Sequence, residues 1–211
     1  MRPTKVLLMC LIAGVGLQAA TIIGTPATGG NSFPFGSSSG TRYQQVYDAT
    51  GFPDPLTITG LTFYNSLNPG TTTAARTYTI HLSTTPAAVD ALSGTMNDNV
   101  GLDDALFAIY VGGEVVNGSF TILGAPFYYN PSAGNLLMDI FVTGSGTPGS
   151  GFDARNGDAG GVFSRMHDFG TGYAGYGLVT GFETGTVIPE PGTMGLLGLG
   201  LGLAAWRRAR K

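Results

Sequence analysis

The sequence predicts an all-β fold, an antiparallel β-sandwich of jelly-roll or Greek-key type, for the middle of this 211-residue chain. Apolar residues recur there at every second position, which is typical of strands that bury one face. Glycine and proline, which together make 47 of the 211 residues, punctuate these stretches as turns. Long helices between strands, which a parallel sheet requires, are missing from the pattern. Short strands joined by turns favour an antiparallel sandwich.

Two stretches alternate most clearly, residues 77–83 and 135–143. Their even-numbered positions are apolar and are predicted to face the core. The odd-numbered positions of the second stretch carry Leu137 and Phe141 on either side of Asp139, so we expect that this outer face is partly covered. Further strands are predicted at residues 43–48, 56–65, 106–111, 119–130, 162–167 and 176–183.

A helical turn is predicted at residues 86–92. Thr85 can cap it, Pro86 suits the first helical position, and Gly94 can end it.

The N terminus has the parts of a secretory signal peptide. Arg2 and Lys5 supply the positive segment, residues 6–16 are apolar, and Ala19 and Ala20 offer a small-residue cleavage site. We therefore predict a signal helix over residues 1–20, cleaved after Ala19 or Ala20, and export through Sec-type machinery.

The C terminus combines a rigid polar motif, an apolar run and a basic tail. The run at residues 194–206 has 13 residues, so as a helix it spans about 20 Å. A bilayer core of about 30 Å needs about 20 residues, so this short hydrophobic helix is suited to temporary retention. The basic end is expected in the cytoplasm, with the upstream chain outside.

This ending resembles the PEP-CTERM sorting signal of exported bacterial proteins. Pro189, Glu190 and Pro191 match the motif, and the basic end is matched by Arg207, Arg208 and Arg210. The resemblance implies recognition and cleavage by an exosortase-type protease, with transient residence in the inner membrane. It also implies a final place at the envelope or outside the cell, in a biofilm or exopolysaccharide matrix. The predicted domains are a signal peptide at 1–20, a β-sandwich ectodomain at 21–188, and the sorting and anchor segment at 189–211.

Charge excludes one class of partner. Residues 21–188 contain no lysine and four arginines against 12 acidic residues, a net charge of −8. Nucleic-acid binding needs cations that neutralise phosphates, so nucleic acid is not an expected partner. This region also lacks cysteine, so it has no disulfide and relies on a packed core.

Motifs of catalysis occur here without their context. Residues 36–40 match G-x-S-x-G but lie in a Ser/Gly-rich stretch with no helix after it. Residues 170–175 match G-x-G-x-x-G but precede a predicted strand, so we interpret them as a turn. The two histidines, His81 and His167, are too few for a three-histidine zinc site and are interpreted as surface or hydrogen-bonded residues. We predict no catalytic residues and no metal site.

No cofactor is predicted, and calcium is the alternative because two loops, residues 98–104 and 153–158, are rich in oxygen donors. Seven tyrosines suggest a surface that stacks on sugars, because strand alternation turns some of them outward. They are Tyr43, Tyr47, Tyr64, Tyr128, Tyr129, Tyr173 and Tyr176.

The sequence therefore predicts an exported, non-enzymatic protein of structural or adhesive type. The first alternative is a carbohydrate-binding module that uses exposed tyrosines. The second is a secreted hydrolase, which requires a cleft that joins His81 or His167 to a serine and a carboxylate.

Overall fold

The computed structural model describes residues 20–27, 29–155, 161–168, 170–173 and 175–185. Within them the chain is built from antiparallel strands, and its helical pieces are 3₁₀ turns at Ala49–Gly51, Met96–Asn99 and Pro131–Ala133. The predicted all-β antiparallel class is thus confirmed. The predicted signal helix and C-terminal hydrophobic helix lie outside the described residues.

The strands vary from two to eleven residues in length. In chain order they are β1 (Thr21–Ile23), β2 (Gly30–Asn31), β3 (Arg42–Tyr47), β4 (Leu56–Tyr64), β5 (Thr71–Thr72), β6 (Thr77–Thr85), β7 (Ala105–Val111), β8 (Val115–Val116), β9 (Ser119–Tyr129), β10 (Asn135–Thr143), β11 (Phe152–Arg155), β12 (Phe163–His167), β13 (Gly170–Tyr173), β14 (Gly177–Leu178) and β15 (Thr180–Thr184).

Two sheets make most of the structure. One has four strands in the order β1-β15-β4-β9, and the other has six in the order β13-β12-β3-β10-β6-β7. Smaller pairings join β14-β11-β2 and β5-β8. Neighbouring strands are often distant in the sequence; β3, for example, lies between β10 and β12.

All eight predicted strand regions are present, with ends shifted by at most two residues. The region at 176–183 is divided into β14 and β15 at Val179. Six short strands were not predicted: β1, β2, β5, β8, β11 and β13.

The helical turn predicted at residues 86–92 is wrong. Thr85 does use its side chain, since its Oγ1 accepts a hydrogen bond from Ala87 N–H at 3.1 Å. Asp90, however, has a φ of 67°, which no right-handed helix allows. Its N–H donates instead to Ser164 Oγ on β12 at 2.7 Å. A contact between distant residues therefore replaces the local helical bond.

Both sheets bury one face in the same hydrophobic core. Phe35, from the loop before β3, is fully buried, and its ring centroid lies 4.6 Å from Phe63 on β4 and 5.0 Å from Tyr78 on β6. The hydroxyls of Tyr47 on β3 and Thr180 on β15 lie 2.8 Å apart. Side chains of the two sheets thus meet across this core.

The outer face of the six-stranded sheet is covered by the segment of residues 86–104, here called the cover segment. Beneath it an ion pair joins neighbouring strands: Arg42 Nη2 lies 2.6 Å from Asp139 Oδ2, and Arg42 Nε donates to Asp139 Oδ1 at 3.0 Å. Gln44 Nε2 donates both to Asp139 Oδ2 at 3.0 Å and to the Met96 carbonyl of the cover segment at 2.9 Å. The ion pair and the cover segment are therefore linked.

Asn99 fixes the cover segment on this face. Its Nδ2 donates to Gln44 Oε1 at 2.9 Å, and its Oδ1 accepts from Ser93 N–H at 2.7 Å. Leu137 is fully buried on the same face although it points away from the main core. Phe141 is 37% exposed, and Arg42 stacks over its ring at 4.6 Å. The expectation that this face is partly covered is confirmed.

The outer face of the four-stranded sheet is open by comparison. Tyr64 lies over Gly181, where an added Cβ would come within 2.8 Å of the Tyr64 hydroxyl, so a larger residue there would have to displace that hydroxyl. On β9, Leu123 is 76% exposed and Tyr128 is 65% exposed. This face therefore presents side chains to solvent.

Candidate functional site

The two histidines lie on opposite faces of the six-stranded sheet. His81 on β6 lies opposite Asp139 of β10 in the strand register, on the outer face. His167 on β12 pairs with Tyr43 of β3, which belongs to the core face. The two rings therefore cannot share one metal ion.

His81 lies beside a carboxylate. Its Nδ1 is 3.0 Å from Asp104 Oδ2, and its ring centroid is 5.8 Å from that of Phe141. Ser83, two positions along the same face, accepts a hydrogen bond from Gly101 N–H at 3.1 Å. The nearby serine is thus occupied with holding the cover segment.

His167 is buried rather than on the surface, with 6% of its area exposed. Its ring packs edge-on against Phe33 at 5.4 Å. Burial, and then the charge of Arg165, lower the pKa of His167, so its neutral form is favoured.

Asp168, next along the chain, is tied to Thr41. Burial by itself raises the pKa of this carboxyl, but hydrogen bonds from the Thr41 hydroxyl and N–H and from the Arg42 N–H lower it, and the net shift is downward. Thr41 N–H donates to Asp168 Oδ2 at 2.7 Å. Asp168, which follows β12, therefore holds the residue that precedes β3 in place.

The two glycine motifs differ in outcome. Residues 36–40 form the expected loop, in which the Ser37 and Ser39 hydroxyls lie 3.3 Å apart, and the next element is strand β3. The turn predicted at residues 170–175 is partly wrong, because Gly170–Tyr173 is strand β13, hydrogen-bonded to β12. The prediction of a turn depends on the strand that follows the motif, whereas the hydrogen-bonding edge of β12 makes residues 170–173 a strand as well.

The oxygen donors of residues 98–104 point to separate protein partners. Asp98 Oδ2 lies 3.4 Å from Ser93 Oγ, Asp103 Oδ1 accepts from Thr84 N–H at 2.7 Å, and Asp104 pairs with His81. In the described part of the chain, no three His, Cys, Asp or Glu residues form a group that could hold a metal ion.

Residues 153–158 lie partly outside the described residues. Asp153, which is described, is 1% exposed, and its carboxylate accepts backbone N–H bonds from Ala27 at 2.9 Å and Leu67 at 3.4 Å. This carboxylate holds two loops together.

Three tyrosines of the proposed surface, Tyr43, Tyr47 and Tyr129, are fully buried in the core. Burial raises the pKa of each one well above the ordinary value of a phenol. Tyr128 faces outward and is 65% exposed. Tyr64 and Tyr176 are half-buried, so among the predicted tyrosines whose side chains the structure describes, Tyr128 is the one that is largely exposed.

Tyr128 lines a groove of about 380 Å³ at one end of the four-stranded sheet. All four strands contribute to it in sheet order, through Thr21 of β1, Thr184 of β15, Thr57 of β4 and Tyr128 of β9. The remaining lining residues are Pro53, Asp54, Pro55, Leu56 and Gly185.

The groove is held in place from the core. Phe52, directly before Pro53, is 3% exposed, and its ring centroid lies 5.0 Å from that of Tyr129 and 5.1 Å from that of Phe182. Thr57 and Tyr128 face each other in the register of β4 and β9. The aromatic wall and the proline-rich wall of the groove are therefore fixed relative to each other.

Sequence reasoning did not find this groove as a unit. It named Tyr128 among seven tyrosines but gave no reason to join it to Asp54 or to the threonines. The Pro53-Asp54-Pro55 triplet, a rigid segment with one charge, was the available signal.

Comparison with known proteins locates one match. Residues 187–211 match the model of the PEP-CTERM protein-sorting motif. No curated protein and no solved structure matches the chain significantly. The motif implies an exported, envelope-targeted protein that is sorted through its C terminus and processed by exosortase machinery. The chain thus carries the predicted sorting signal.

The sorting residues themselves, Pro189, Glu190, Pro191, Arg207, Arg208 and Arg210, lie outside the described residues, as does the predicted signal peptide. Within the part of the chain that the structure describes, no helix has the length and apolar character to cross a membrane.

Proposed function

We propose that this chain is a structural or adhesive protein of the cell envelope or of an extracellular polysaccharide matrix. The observation that carries the proposal is the sorting motif at residues 187–211, which follows directly on an all-β domain whose last strand ends at Thr184. The sorting motif supplies the route out of the cell. The domain supplies a rigid body with two outward faces.

In this proposal the signal peptide at 1–20 is removed during Sec-type export, and the C-terminal segment at 189–211 holds the chain in the inner membrane until an exosortase cuts it. Residues 21–188 form the released domain, a β-sandwich of jelly-roll or Greek-key type. The shared core and the two large antiparallel sheets support this architecture. Neither catalysis nor a bound metal forms part of the proposed role.

The experiment compares native envelope fractions of the wild-type chain and a variant with Pro189, Glu190 and Pro191 replaced by alanine. Mass spectrometry should find the wild type trimmed at both ends and the variant with its arginines still attached. In a strain that lacks the wild-type chain, retention of matrix polysaccharide should fall, and the wild type but not the variant should restore it.

A matched control replaces Ser37, Ser38 and Ser39 with alanine. This triple substitution lies in a surface loop and removes the serine of the G-x-S-x-G motif. Normal trimming and normal matrix retention are expected. Loss of retention in this correctly sorted control would favour the hydrolase alternative, and normal maturation of the proline variant would contradict the proposed sorting route.

A further inference from the structure

We infer that the Tyr128 groove is a binding site for a neutral polysaccharide, which it holds by stacking one pyranose ring on Tyr128. This inference rests on the proposed matrix function and gives that function a ligand and a place.

The shape of the groove suits a sugar. Its volume of about 380 Å³ lies within the range of small-molecule sites, about 300–1,000 Å³. It crosses the end of the sheet from the edge strand β1 to the edge strand β9 and is open to solvent, so a chain can enter without having a free end. An exposed tyrosine at an edge strand suits stacking, because the apolar face of its ring packs on C–H groups while the hydroxyl stays in water.

The chemistry of the lining matches the many hydroxyls of a sugar. Thr21, Thr57 and Thr184 each carry a hydroxyl that can donate and accept. Asp54 adds a carboxylate, which accepts hydrogen bonds from hydroxyl groups more strongly than a neutral oxygen does. Pro53 and Pro55 on either side of Asp54 restrict its backbone, so little conformational entropy is lost when a ligand binds.

Charge defines the class of sugar. Asp54 is the one charged residue among the described residues that line the groove, and these include no lysine or arginine to neutralise an anion. Uronate, sulfate and phosphate groups are therefore disfavoured, and a neutral glycan is the ligand that these residues suit.

The closing experiment measures binding by isothermal titration calorimetry with the full chain in mild detergent. The probes are the neutral oligosaccharides cellotetraose, maltotetraose and mannotetraose. An anionic tetragalacturonate and a cationic tetralysine are the comparison ligands. We expect that at least one neutral probe binds and that the two charged ligands do not.

Tyr128→Ala should weaken binding at least tenfold, whereas Tyr128→Phe should keep it within about threefold, because the phenyl face remains. Leu123→Ala, an exposed position on the same strand β9, is the matched control and should leave binding unchanged. Asp54→Asn should weaken binding by about three- to tenfold, because it loses the charge but keeps an acceptor.

The inference is overturned if no neutral probe binds, if Tyr128→Ala binds like the wild type, or if tetralysine binds in a manner that depends on Tyr128. Processing of the Tyr128→Ala chain in its native envelope separates this inference from the proposed function. If the chain is trimmed normally but the wild type binds no sugar, only the assignment of the groove as a sugar site is lost. If the wild type binds sugar but is never trimmed, the groove assignment stands and the proposed sorting route is contradicted.

Discussion

The outer faces of the two sheets differ in how much of each is covered by other parts of the chain. On the six-stranded sheet, residues 86–104 close over an ion pair between Arg42 and Asp139. On the four-stranded sheet, none of the segments that the structure describes covers Leu123 and Tyr128, which are largely exposed. Strand geometry therefore determines which side chains point away from the core. Whether those side chains are exposed to solvent depends on a segment from elsewhere in the chain. One face thus contributes stability, and the other remains available to a ligand.

The largest effect is expected at Asp139. Asp139→Ala should lower the free energy of unfolding by about 3–5 kcal/mol, because it leaves the Arg42 guanidinium under the cover segment without its counter-charge. Chemical denaturation of the full chain measures the loss. Asp139→Asn keeps the shape and one acceptor oxygen, so it should cost less. Equal stability of Asp139→Ala and wild type would show that the ion pair does not hold the closed face together.

A matched pair of leucines compares the two faces directly. Leu137 and Leu123 both point away from the core, but the first is fully buried and the second is 76% exposed. Leu137→Ala should cost about 2–5 kcal/mol through lost burial and the cavity that remains. Leu123→Ala should stay within about 0.5 kcal/mol of wild type. Similar losses at the two positions in denaturation curves would refute the contrast.

Loosening the cover segment should have a smaller effect. Asn99→Ala removes the bonds to Gln44 Oε1 and to the backbone of Ser93, and leaving such buried groups unsatisfied costs about 1–3 kcal/mol. Amide hydrogen exchange should rise in residues 86–104 and stay unchanged in β9. A uniform rise across both sheets would mean that the cover segment does not open as a local unit.

Much of the fold could be predicted because period-two alternation is a local signal. The strands at 77–83 and 135–143 were recognisable from their own side chains, and both are present. Strands of two or three residues, such as β1 and β2, carry too little pattern to be recognised alone. They exist because a neighbouring strand offers its hydrogen-bonding edge, as β15 does for β1.

The site could be predicted only in fragments. Regular alternation from the buried Phe120 would place Tyr128 inward, but the register shift between β4 and β9 reverses the alternation, so Tyr128 faces outward and Tyr129 is buried. Likewise the helical turn at 86–92 has good local signals, yet the bond from Asp90 to Ser164 overrides them. Contacts between residues about 70 or more positions apart decide these cases, and a single sequence does not reveal them.

The pairing of β1 with β15 places Thr21 opposite Phe182, so both ends of the described domain leave the fold along a single seam. Pro189 follows Gly185 by only four residues, a reach of about 14 Å at full extension. While the C-terminal segment of the proposed function still anchors the chain, this end of the domain is the one joined to the bilayer. The groove, which Thr21, Thr184 and Gly185 help to line, lies at this same end of the domain. Under the proposed function, cleavage at the motif would therefore free the chain at the end of the domain that carries the groove.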